Sequence, residues 1–317
     1  MRRFIPTILL VVVCIGAFWY ASSKDFFREK KDEPKALVAL QQENVQSFSL
    51  HTADQQIEMN RKDNSWEMAK PAAVPISGSQ VDSWLDSFGL VNQEKVVEEN
   101  AADLAKYGLD QPAQVYEVTM KDGSKKGIQV GAALPIQGFS YAKTEDSPTV
   151  YQVSDQSLQL LAKTPVDFMD TSPFAFDNDK VQSVKLTWKG QSWTLSKTDK
   201  DKVTSEANWK LGDKELKGSD ASSLLNELVF LHTTVLAKPA GEVPTAGGEL
   251  KVELTLSDNG KETTDTYEGK LSQDQVWLAK QGGQWAYQLT AADIQKMADA
   301  YDAKLKEEAP TPTPAAK

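Results

Sequence analysis

Hydrophobic and polar positions divide the chain into three regimes. Residues 4–21, FIPTILLVVVCIGAFWYA, carry no charge. At about 1.5 Å of rise per residue such a run is roughly 27 Å long, close to the ~30 Å hydrocarbon core of a bilayer. It predicts one transmembrane helix, with Met1-Arg2-Arg3 cytoplasmic by the positive-inside rule and Phe18-Trp19-Tyr20 as an aromatic belt. A cleaved signal peptide is the competing reading, but its apolar region is normally ~7–15 residues and ends in small side chains. Here the run ends in bulky rings, although Ala21-Ser22-Ser23 would be tolerated as a cleavage site. Both readings export everything that follows. A lipoprotein reading of Cys14 fails, because Val13 is not small and apolar sequence continues past the cysteine.

The second regime reads as short alternating strands and amphipathic helices. Val81, Trp84, Leu85 and Phe88 fall at i, i+3, i+4, i+7 with Gly89 behind them, which predicts a helix over 79–88. Leu224, Leu225, Leu228 and Leu231 predict another within 219–231. Val184, Leu186 and Trp188 alternate, then Trp193 and Leu195 alternate back after Lys189-Gly190, a hairpin that sets Leu186 opposite Trp193. Further strands are expected at 115–120, 127–130, 141–143, 150–153, 250–256, 276–279 and 285–289. Helices over 154–161 and 290–301 are capped by Ser154 and Thr290.

These elements are written twice. Val45-Gln-Ser-Phe-Ser-Leu50 reads like Val181-Gln-Ser-Val-Lys-Leu186, and Tyr151-Gln-Val153 like Tyr287-Gln-Leu289, both 136 residues apart. Asn64-Ser-Trp66 pairs with Ala207-Asn-Trp209 at a slightly larger offset. The expected fold is α+β: two tandem related copies, each a mainly antiparallel sheet with two helices, after the N-terminal helix. The division is 1–21 cytoplasmic N-terminus and anchor, 22–40 juxtamembrane stalk, 41–172 first copy and 173–305 second copy. The third regime, 306–317, with alternating Pro and Thr, reads as a disordered tail. The join falls near residues 168–178; a single sheet fused across both copies is the alternative.

Composition narrows the function classes. The only cysteine is Cys14, so the exported part has no disulfide and must rely on packed cores. A net charge of −10 argues against nucleic acid or anionic headgroups as partners. Ser140-Tyr-Ala-Lys143 and Ser257-Asp258-Asn259 match two of three serine-acylase motifs, in order. The chemistry needs the lysine one helical turn from the serine. Residues 139–143 alternate as a strand instead, Ser257–Gly260 reads as a hairpin turn, and the third motif is missing. His51 and His232 lack metal-ligand spacing, and His232 reads as a surface or capping residue at a helix end. Asp177-Asn-Asp179 and Asp199-Lys-Asp201 lack the glycine and glutamate of a calcium loop. Seven tryptophans beyond Trp19 sit on apolar faces of predicted elements, which favours core packing over stacking on glycans. No catalytic residue, cofactor or metal ligand is assigned.

Tyr107-Gly108-Leu109-Asp110-Gln111-Pro112 carries a resemblance. The motif follows Trp66, the prolines at 71 and 75, the 81–88 helix and Val96-Val97, and precedes Ile128-Gln-Val-Gly131 and Val150-Tyr151-Gln-Val153. Over roughly residues 64–250 the chain resembles the bacterial domain-of-unknown-function family numbered 4340. Read from its residues, the motif is a corner: a short helical turn over 103–107, a left-handed stop at Gly108, and Pro112 sending the chain extended. The second copy has Pro244-Thr-Ala-Gly-Gly248 there instead. The resemblance implies a membrane-anchored, exported, non-catalytic protein, often encoded beside ABC-type exporter components and a gliding-motility-type auxiliary protein. It brings no catalytic residues. The expectation is therefore a single-pass accessory or scaffold protein of a bacterial envelope with a protein partner, possessing no enzyme activity. A cell-wall glycan or envelope-ligand binding module is the alternative, and an enzyme the third.

Overall fold

The computed structural model describes residues 35–307, together with Ile15 and residues 18–20. Most of the apolar run 4–21, residues 22–34 and the tail 308–317 lie outside the described residues. Among the described residues no helix is long and apolar enough to cross a membrane.

The first half runs β1 (Lys35–Ala36), β2 (Val45–Thr52), β3 (Gln56–Lys62), β4 (Ser65–Lys70), α1 (Gly78–Gly89), β5 (Asn92–Gln93) and β6 (Lys95–Glu98). It continues through β7 (Gln114–Met120), β8 (Lys125–Ala133), β9 (Phe139–Thr144), β10 (Val150–Ser154) and α2 (Asp155–Leu161). The second half runs β11 (Val181–Trp188), β12 (Gln191–Lys197), β13 (Asn208–Leu211), β14 (Lys214–Lys217), α3 (Gly218–Val229) and β15 (Lys238–Pro239). It ends with β16 (Leu250–Asp258), β17 (Lys261–Ser272), β18 (Gln275–Lys280), β19 (Trp285–Thr290) and α4 (Ala291–Lys306). Every strand pair is antiparallel. An eight-stranded sheet has the order β4-β3-β2-β7-β8-β9-β10-β6, and a nine-stranded sheet the order β14-β13-β12-β11-β16-β17-β18-β19-β15. The fold is α+β, and the two large sheets are separate rather than fused.

The helix stripes bury as their spacing demands. Val81, Trp84, Leu85 and Phe88 are all buried on α1, with Trp84 stacked on Phe48 of β2 at 4.4 Å between ring centres. The Trp84 indole N–H donates to the Leu161 carbonyl at 3.1 Å and locks α1 to α2. In the second half the Tyr301 hydroxyl of α4 donates to the Leu224 carbonyl of α3 at 3.2 Å. Leu186 faces Trp193 across a turn in which Lys189 and Gly190 both have positive φ, as the hairpin spacing predicts.

Several elements depart from expectation. Residues 35–40 are not stalk: β1 pairs with β5, and Val38 is buried in the first core beside Leu37 and Leu40. α4 runs through Lys306, one residue into the span 306–317. Ser154 precedes α2 without a side-chain cap bond, whereas Thr290 Oγ1 accepts the Asp293 N–H at 3.0 Å. The polar sequence of β17 does not predict a strand. Its register with β16 and β18 comes from backbone pairing, and only Tyr267 and Gly269 along it are buried.

The two halves touch through the segment between them. Ile76 bridges Met169, the Thr233 N–H donates to Thr171 at 2.9 Å, and the Ala237 N–H donates to the Met169 sulfur at 3.2 Å. Ala237 is buried in the first core, and Leu236, Trp285 and Tyr287 of the second half pack on it.

Candidate functional site

The Tyr107–Pro112 motif folds as the corner its residues predict. Ala105–Tyr107 forms one turn of 3-10 helix, and Gly108 takes φ +66° so that the Leu109 N–H can return to the Leu104 carbonyl at 3.0 Å. Tyr107 and Leu109 are buried, Asp110 is exposed, and half-buried Pro112 leads into β7. With Ala101 and Val150, and with Leu104 and Tyr141 at its margin, the corner builds a small core of its own. Tyr141 points into it while neighbouring Ala142 points into the main core, so the corner covers the sheet face turned away from the helices.

Two polar groups that the motif alone did not indicate complete the corner. The Tyr107 hydroxyl donates to the Glu98 carboxylate of β6, and Lys106 Nζ lies 3.0 Å from that hydroxyl and 3.7 Å from the carboxylate. The Tyr107 hydroxyl and Glu98 hold the Lys106 ammonium above the ordinary lysine range. Tyr141 meets the Tyr107 ring edge-on at 4.9 Å. Gly131 lets β8 pass beneath. A glycine inside a strand was the available signal, since it marks a close backbone approach.

Beside the corner, Gln114, Gly131, Ser140, Asp155 and Gln159 line a shallow cleft of about 260 Å³. Ser140 Oγ donates to Asp155 Oδ1 at 2.7 Å, whereas Lys143 Nζ turns away to the Thr144 carbonyl at 3.1 Å. Ser257-Asp258-Asn259 ends β16 and enters the turn to β17 in the other half, with Asn259 and Gly260 at positive φ. The two acylase-like patterns therefore do not meet. His232 Nδ1 contacts the Phe230 carbonyl at 2.7 Å, a capping contact. Asp179 accepts the Thr204 N–H and Asp199 accepts from Lys202 and Asn208, which occupies both acidic turns. No group of three or more His, Cys, Asp or Glu arranged for a metal occurs among the described residues.

Trp66, Trp84, Trp188, Trp193 and Trp209 are buried. Trp277 and Trp285 are half-buried: Lys238 Nζ lies over the Trp277 ring at 5.1 Å, and Trp285 packs on the first core. The large apolar side chains that do face outward include Leu90, 70 % exposed, and Phe230, 69 % exposed. Each is the residue that ends the first helix of its half. Both lie off their helix's apolar stripe, so periodicity does not assign them to the core.

No curated protein and no solved structure matches the chain. A family model described as a domain of unknown function, DUF4340, matches residues 66–247 and so takes in α1, the Tyr107–Pro112 corner and α3. The chain belongs to the DUF4340 family.

Proposed function

We propose that this chain is a membrane-anchored, extracytoplasmic accessory or scaffold protein of a bacterial envelope. It acts on a protein partner, such as a subunit of an ABC-type transporter, through its folded surface and without chemistry of its own. The observation that carries this reading is the matched exposure of Leu90 and Phe230. Two large apolar side chains held outward at corresponding helix ends suit a protein contact, whereas five of the tryptophans that a glycan platform would need are spent in the cores.

We also read the two halves as copies of one unit. The order β4-β3-β2-β7-β8-β9-β10-β6 recurs as β13-β12-β11-β16-β17-β18-β19-β15, with β14 added at one end. The register shift at Val45/Ser47 recurs at Val181/Ser183, and Tyr151 opposite Ala142 recurs as Tyr287 opposite Leu278. Bulges are inherited features of a strand, so their coincidence supports common descent of the halves. On this reading Leu90 and Phe230 are one contact residue used twice.

The test is crosslinking in the native membrane with the intact chain and with Leu90→Asp and Phe230→Asp. Capture of transporter subunits that both variants lose, with unchanged thermal unfolding, supports the reading. Capture that is indifferent to both substitutions, or no captured protein at all, overturns it.

A further inference from the structure

The seam between α3 and α4 is hollow. A depression of about 490 Å³ lies between Ser223, Leu224 and Glu227 of α3 and Ala300, Ala303 and Lys304 of α4. Glu227 also lines a second depression of about 240 Å³ with Phe230, and His232 and Asp293 join that one to a third of about 280 Å³ toward β19. Shared walls make the three one continuous trough, and Phe230 stands beside it. Leu224 is buried at the floor, while Ser223, Ala300 and Ala303 are too small to close the gap. In the first half α2 has 7 residues where α4 has 16, so that half has no helical turn corresponding to 300–304.

Shape and charge together select an occupant. The lining residues recur three and four positions apart on both helices, so the trough runs along them. From Ser223 to Phe230 it follows α3 for about 10 Å, the length over which a partner helix presents residues i, i+4 and i+7. Small side chains on the walls let a third helix approach to the usual spacing of roughly 8–10 Å between axes. Lys304 is held by Asp220 and Glu307, and Lys306 by Asp302. Among the described residues, Glu227, Asp293 and Asp299 are then left with Lys296 as the one remaining cation of the two helices. A second copy of this chain, itself at net −10, would bring like charge to that rim. A helix with basic residues flanking an apolar stripe satisfies both floor and rim.

We propose that the trough seats a basic amphipathic helix of the protein partner. This rests on the reading of Phe230 as a partner contact and adds to it the kind of segment that Phe230 engages. The apolar side of that helix lies on Leu224, Ala300 and Ala303, and its cations stand beside Glu227 and Asp293. Its end packs on the exposed Phe230 ring. Leu90 is a point contact by comparison, because α2 is too short to build such a seat beside it.

The experiment uses the full chain in phosphatidylcholine nanodiscs and two synthetic peptides of about 18 residues, long enough to form a helix on binding. Each carries leucine on one helical face and a central benzophenone group; the other face is lysine in one peptide and glutamate in the other. Photocrosslinks of the lysine peptide are expected within 223–230 and 296–304, mapped by mass spectrometry. Their yield is expected to fall about tenfold in Glu227→Lys and in Ala303→Arg, with thermal unfolding unchanged, and to hold in Gln137→Arg, an added charge at an exposed site in the first half. No adducts, adducts elsewhere, equal yield from the glutamate peptide, or yield indifferent to the two trough variants overturns the proposal. In native-membrane crosslinking, transporter capture lost by Phe230→Asp but kept by Glu227→Lys and Ala303→Arg overturns the helix seat and leaves the Phe230 contact standing. Capture of no protein, with peptide adducts as expected, removes the transporter and supports the trough.

Discussion

A β-carbon placed on Gly131 would stand 2.2 Å from the carbonyl oxygen of Tyr107. The corner and strand β8 are thus in backbone contact, and Leu109 closes over the same point, 2.9 Å from that β-carbon position. The second half makes a related crossing, where a β-carbon on Gly248 would lie 2.1 Å from the Gly269 carbonyl. Gly131→Ala should lift the corner from the sheet and cost about 1–3 kcal/mol, the usual range for overpacking. Gly78, with open space around it at the start of α1, should accept Ala without loss. Urea unfolding of the two variants checks the contrast; equal midpoints would remove the corner's structural role.

Thr290 and Ser154 occupy the same place before a helix but bond differently. Thr290→Ala should cost about 1 kcal/mol, because it frees the Asp293 N–H. Ser154→Ala should stay within about 0.5 kcal/mol, since that side chain makes no cap bond. Thermal unfolding of both variants decides between this difference and a generic N-cap effect.

Leu85 and Leu90 lie five positions apart, one buried and one exposed. Leu85→Ala should lower stability by about 2–5 kcal/mol, and Leu90→Ala should change it by no more than about 0.5 kcal/mol. A large loss from Leu90→Ala in denaturant titration would mean that its side chain supports the fold and is not displayed for a partner.

Burial pushes the phenols of Tyr116, Tyr267 and Tyr287 up to about 12 from an ordinary value of 10.0, and that of Tyr301 higher still. A raised folded-state value stabilises the fold fully below the unfolded value and loses that contribution as pH rises through the folded one. The protein should therefore lose stability above pH 10 and through pH 12. The tyrosinate absorbance of these four phenols should appear together with loss of the folded circular dichroism signal, read as the difference between the intact chain and variants with Phe at each position. Smooth ionisation near pH 10 in a chain that stays folded would contradict the burial of these rings.

Much of the fold is legible in the sequence, for identifiable reasons. The α1 and α3 stripes, the Leu186–Trp193 hairpin and the Gly108 stop follow from local periodicity and backbone sterics, which act within a few residues. β17 leaves no local pattern, because its polar residues are ordered by neighbours on both sides and few of them face a core. Ser154 is a cap by residue type and not by bond, because residue type names a capacity, while the bond depends on a rotamer set by packing.

Of the candidate site, the sequence determined the corner: residues 107–112 contain both the left-handed glycine and the proline that shape it. Only the tertiary structure decided what the corner meets. Glu98, Gly131 and Tyr141 are brought to it by sheet register, a long-range property that no local pattern encodes. The outward display of Leu90 and Phe230 was likewise decided in three dimensions, because an apolar residue beyond a helix stop is buried or exposed according to what lies over it.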